Sequence, residues 1–195
     1  MKPSIQNPPT FSLQFSDYFR PLVFILILLA LLLGAFILQD TLPAFSFFSQ
    51  LHLLLVPVVF CFGVLVLPIS SAFFFALITA VLQGLIAQPF LDGHVEIGLG
   101  WYILFFMIWT FLLQWLSDIT GGVRWELHAI GSVLCAVTLL CGEFIILSVK
   151  RGNFSLTETT TLFLIISSGA SFLVAPLFYY LAQFLLPPAR TSTTN

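Results

Sequence analysis

Residues 128–149 read HAIGSVLCAVTLLCGEFIILSV. One carboxylate, Glu143, interrupts a run that is otherwise apolar or small. A helix that crosses a bilayer needs about 20 predominantly apolar residues at 1.5 Å rise each, and this stretch supplies them. Its apolar residues follow one another continuously. Strands of a membrane barrel alternate apolar and polar positions, so a barrel is excluded. The stretch is predicted to be a membrane-spanning helix.

Five further runs have the same character, over about 21–39, 51–67, 72–88, 97–117 and 161–186. Pro21 suits the first turn of the first helix. The breaks between runs hold most of the chain's punctuation: Asp40 and Pro43; Pro68; Pro89, Asp92 and Gly93; Asp118, Gly121 and Gly122; Lys150, Arg151, Gly152 and Asn153; Pro187 and Pro188. Composition agrees. Of 195 residues, 59% are hydrophobic and 7% charged, with a mean hydropathy of +1.11. A soluble domain carries about 25% charged residues. Six Lys/Arg and eight Asp/Glu cannot cover a water-facing surface, which excludes a soluble enzyme, a nucleic-acid binder and a disordered chain.

The expected fold is therefore all-α: a polytopic integral membrane protein forming a compact bundle of six transmembrane helices. Five spans result if 51–67 and 72–88 form a re-entrant pair. Residues 1–20, with Pro3, Pro8 and Pro9, read as a flexible cytoplasmic tail, residues 21–187 as one transmembrane domain and 188–195 as a C-terminal tail. The first run is longer than the core of a cleavable signal and lacks a small-residue cleavage site after Leu38-Gln39-Asp40, so it is expected to be retained. Lys2, Arg20, Arg124 and Arg190 fall on one side and Lys150 and Arg151 on the other, which favours both termini in the cytoplasm. Trp101, Tyr102 and Trp115 bracket the fourth run about 21 Å apart, as interfacial anchors would.

Polar groups within the runs are the candidate functional positions. Glu143 lies on a stripe of small residues with Ser132 and Ala136, flanked by Gly131, Cys135, Thr138 and Gly142. Its simplest role is to snorkel towards, or pair with, Lys150 or Arg151. The third run repeats the pattern with Ala72, Ala76, Thr79, Ala80, Gln83, Gly84 and Ala87. The sixth has Ser167, Ser171 and Ala175 with Pro176 just beyond, where a kink is expected. Small faces let helices approach closely. The first run has Gly34 in a Leu/Ile/Phe helix and looks the most open to lipid or to a partner's helix. No catalytic constellation is visible. His52, His94 and His128 share no metal-ligand spacing, and Cys61, Cys135 and Cys141 form no CxxC pair. No catalytic residue, cofactor or metal is expected.

The order of features resembles one family. The first run ends in Leu38-Gln39 followed by Leu42-Pro43; Leu51-His52-Leu53-Leu54-Leu55 leads into a second helix ending at Pro68; the third ends in Gln83-Gly84-Leu85-Ile86; and Ile97-Gly98-Leu99-Gly100 opens the fourth. Over about residues 21–105 this pattern is similar to that of the bacterial rod-shape-determining protein MreD. The chain departs from it at Gln88, where that family carries an acid, with Asp92 four residues on. The resemblance implies a non-enzymatic scaffold in the cytoplasmic (inner) membrane, part of the cell-elongation machinery that makes peptidoglycan and sets cell shape. Its implied partner is an MreC-like membrane protein, and through it the elongation polymerase and transpeptidase and the MreB filament; no nucleic acid is involved. The partner surface is expected along Gly34, Gln39, Pro43, Asp92 and Glu96, with Gln83, Glu143, Ser167 and Ser171 as intramembrane polar and packing positions. The fold is also similar to substrate-binding components of vitamin transporters, which gives the alternative: a small-molecule-binding membrane component of a transporter.

Overall fold

The computed structural model describes residues 11–41, 54–86, 90–91, 94–95, 97–122, 124–152 and 158–185. Six helices follow in order: α1 (Phe11–Thr41), α2 (Val56–Val66), α3 (Ile69–Ile86), α4 (Leu99–Thr120), α5 (Trp125–Arg151) and α6 (Glu158–Leu185). Two short strands, β1 (Phe90–Leu91) and β2 (His94–Val95), pair antiparallel between α3 and α4. The fold is an all-helical bundle, and α3, α4 and α5 are each long and apolar enough to cross a membrane.

Neighbouring side chains set the direction of each helix. Gly84 of α3 meets Leu99 and Tyr102 at the start of α4, and Gly131 of α5 meets Leu113 of α4. Near the other end of this pair, Gly142 meets Trp101. So α3, α4 and α5 run alternately up and down. Ile37 and Thr41, at the end of α1, share a groove with Ile86, at the end of α3. These two helices therefore finish on the same side, and α2 is the return stroke between them. The helices α1 to α5 thus alternate in direction through the bundle. Reporter fusions after α5, near Asn153, and at Asn195 are expected to report opposite sides of the membrane; the same side for both would contradict the six-span reading.

Two boundaries differ from those read in the sequence. First, α1 begins ten residues before Pro21, so part of the presumed tail is helical. In the sequence Phe15, Tyr18, Phe19 and Leu22 recur at helical spacing. Pro21 then lies inside the helix and not in its first turn. Second, the run 51–67 yields only the 11 residues of α2, about 16 Å long. Leu54 and Leu55 precede the helix without belonging to it, and Pro57 occupies its first turn. Residues 51–53 lie outside the described residues.

A helix half as long as the hydrocarbon core is thick survives only if protein surrounds it. All residues of α2 except Val66 are buried, and it packs against α1, α3, α4, α5 and α6. The core centres on it. Phe60 meets Phe106 edge-on at 4.7 Å between ring centroids, and Phe62 stands edge-on to Phe178 at 5.5 Å. The small face predicted on α3 is the one it buries: Ala72, Ala76, Thr79, Ala80, Gln83 and Gly84, joined by Phe75. On α5, Gly131, Ser132, Cys135 and Ala136 are buried, whereas Thr138 turns outwards. Ser167, Ser171 and Ala175 of α6 are also fully enclosed.

Candidate functional site

The ends of α2 carry the first group of polar side chains. A helix terminus leaves backbone groups unpaired, and within a bilayer each costs several kcal/mol. At the N-terminus, the Gln39 amide oxygen accepts the N–H of Leu55 (3.2 Å) and of Val56 (3.4 Å). The Ser171 hydroxyl donates to the Leu54 carbonyl at 3.1 Å. At the C-terminus, the carbonyl of Val64 would normally receive the N–H four residues on, but that residue is Pro68, which has none. Gln114 of α4 replaces it, its amide nitrogen donating to both Val64 and Leu67. His128 of α5 joins the same core. It is fully buried, with Nε2 3.0 Å from the Val58 carbonyl, so that nitrogen carries the proton. Phe62 and Tyr179 flank its ring.

The second group lies between α4 and α5. Gly142 has no side chain, so the Trp101 indole lies directly on the α5 backbone: a Cβ there would overlap Trp101 Cζ2 and stand 2.9 Å from Cη2. Gly84 makes room in the same way for Leu99 and Tyr102. The Tyr102 hydroxyl, fully buried, is directed at the Glu143 carboxylate without closing to ordinary hydrogen-bond geometry. The Trp101 Nε1 is likewise buried without an acceptor among the described residues. Glu143 itself is partly exposed. Among the described ionisable groups its neighbour is Tyr102.

This arrangement revises one expectation. Trp101 and Tyr102 are turned inwards against α5 and α3, whereas Trp115, with 56% exposure, faces outwards as an anchor does. Trp101 is in the first turn of α4, and Glu143, next to the Gly142 on which Trp101 lies, is level with it.

The other predicted positions distribute as follows. Gly34 is on the open face of α1, with no atom within 4 Å of a Cβ placed there. Gln39, expected at a partner surface, commits its amide oxygen to α2. Pro43, Gln88, Asp92 and Glu96, and the histidines His52 and His94 as side chains, lie outside the described residues. Gln83 is buried with its Oε1 unpaired among the described residues, as is the Ser167 hydroxyl. Sequence reasoning missed Gln114, and it named His128 and Tyr102 without the packing roles they take here. Each is a hydrogen-bonding side chain within or at the edge of an apolar run, and such groups seldom face lipid without a partner. No protein-family model, curated protein or solved structure significantly matches the chain.

Proposed function

We propose that this chain is a non-enzymatic membrane scaffold of the bacterial cell-elongation complex, set in the inner membrane with both termini cytoplasmic, which holds the transmembrane helix of an MreC-like partner on α1. Through that partner it would engage the peptidoglycan polymerase and transpeptidase and the MreB filament. The likeness of residues 21–105 to MreD motivates the reading. One observation carries the choice of surface: α1 is peripheral, packed on α2 and touching α3. It buries Leu28, Leu32, Ala35 and Phe36 and leaves Leu26, Ile27, Leu33, Ile37 and Leu38 open.

Ala30 and Gly34 lie on that open face one turn apart, a small-xxx-small pair of the kind that lets two helix backbones approach in lipid. Beside it, Leu33, Phe36, Ile37, Thr41 and Ile86 line a groove of about 140 Å³, open to a partner's side chain. By contrast, the small faces of α3 and α6 are used up within the bundle.

The test is co-purification in mild detergent with an MreC-like partner. A Cβ at Gly34 stands more than 4 Å from every described atom outside its own turn, so in Gly34→Leu the bundle is expected to keep its thermal stability while partner recovery falls severalfold. Undiminished recovery would remove α1 as the interface.

A further inference from the structure

We infer that the first turns of α1, residues 11–20, lie along the membrane surface with one aromatic face in the boundary between headgroups and acyl chains, so that this stretch is a lipid-binding surface and not a tail in water. This requires that residues 21–39 cross the membrane. It is independent of the MreC-like partner, whose contact falls further along α1 at Ala30 and Gly34.

The first observation is length. The helix α1 has 31 residues and is about 46 Å long, against a hydrocarbon core of about 30 Å. The apolar stretch described within it is Val23–Gln39. Residues 11–20 are therefore helical beyond the hydrocarbon, where lipid no longer imposes helix on the backbone. A short stretch gains little from helix propensity in water, and most helical stability comes from burying an amphipathic face.

The second observation is that such a face exists. In the sequence, Phe11, Phe15, Tyr18, Phe19 and Leu22 share an arc of about 100° at about 100° per residue. Ser12, Gln14, Ser16, Asp17 and Arg20 fall outside that arc, with Leu13 among them. Phe and Leu on one side and polar residues on the other form the pattern of helices that lie in the interface plane, and Tyr favours the same level.

The third observation is Pro21, which separates this segment from the apolar stretch. Proline has no N–H for the Asp17 carbonyl and its ring crowds that carbonyl, and helices bend at such positions. A bend there turns the start of α1 from the crossing direction onto the surface. Asp17 and Arg20 cancel in charge, so the attachment comes from the apolar face and not from anionic headgroups.

The experiment attaches a nitroxide spin label at Phe15→Cys, Phe19→Cys, Ser16→Cys or Asp17→Cys, one at a time, in the whole chain reconstituted into phosphatidylcholine vesicles. The unmodified chain, treated alike, gives the background from Cys61, Cys135 and Cys141. Accessibility to oxygen, which dissolves in the acyl region, is compared with accessibility to a water-soluble nickel chelate. The oxygen-to-nickel ratio is expected to be severalfold higher at the Phe15 and Phe19 positions than at Ser16 and Asp17, and to stay so when phosphatidylglycerol is added. Equally low ratios at all four positions place the helix in water and overturn the inference. Protection of the Phe15 and Phe19 positions from both reagents assigns the face to protein and overturns it too, as does a difference that appears only with phosphatidylglycerol. Each face carries two labels, so a variant that does not assemble leaves its neighbour to decide.

Discussion

Replacing Gly63 by alanine is expected to destabilise the bundle by about 1–2 kcal/mol, the reverse of what the substitution does in most helices. Alanine in place of a helical glycine normally gains about 0.5–1 kcal/mol, because glycine loses more backbone freedom on folding. At Gly63 the new Cβ overlaps Phe75 Cε1 and stands 2.9 Å and 3.0 Å from two more atoms of the same ring. The ring cannot retreat, since Phe75 is fully buried. Overpacking a tight core costs about 1–3 kcal/mol, which exceeds the gain. Valine at the same position adds two more methyl groups and should cost more. The check is unfolding in detergent, with Gly34→Ala as the control: nothing stands within 4 Å there, so that variant should be neutral or more stable. Restored stability in a Gly63→Ala, Phe75→Leu double variant would confirm the clash, and a Gly63→Ala protein as stable as the parent would refute it.

Gln114→Leu should cost more, about 2–5 kcal/mol, although it substitutes an apolar residue in an apolar bundle. The leucine removes both donations from the Gln114 amide nitrogen to the C-terminal end of α2. Each buried carbonyl so orphaned costs about 1–3 kcal/mol. The Val64 carbonyl has no substitute, because Pro68 supplies no N–H. Interhelical hydrogen bonds in membrane proteins are often worth less, about 0.6 kcal/mol on average, since the unfolded state in lipid also finds partners. Here the Val64 carbonyl belongs to a residue that is fully buried in the folded bundle, so the larger figure applies. Gln114→Glu tests the mechanism. At alkaline pH the ionised carboxylate accepts but cannot donate, so there this polar replacement should be no better than leucine. If Gln114→Glu instead retains full stability at alkaline pH, the donation to α2 is not what Gln114 contributes.

Much of this architecture was legible in the sequence, because lipid imposes a simple rule on it. Every backbone polar group must be satisfied internally, so continuous apolar runs become helices. Their number and rough limits follow from the Pro, Gly and charged residues that separate them. The buried face of α3 was legible too, since Ala72, Ala76, Thr79, Ala80, Gln83 and Gly84 share one side at helical spacing and small residues mark close helix packing.

The length of α2 was not legible. Residues 51–67 read as a span, though a short one, by hydropathy, and hydropathy does not distinguish a helix in lipid from one wrapped in protein. The difference lies in Gln39, Ser171, Gln114 and His128, which come from four other helices and reach α2 only after the bundle has assembled. The same holds for Glu143. Its place on α5 was plain from the sequence, but its neighbours depend on the register of α5 against α4, fixed by Trp101 lying on Gly142. Local periodicity determined which residues form helices and which faces are small. Only tertiary packing decided that one of those helices is half-length and central, and that Glu143 stands beside Tyr102 at the start of α4. Register between helices is set by side-chain fit at contacts far apart in the chain, and no window of sequence contains both halves of such a contact.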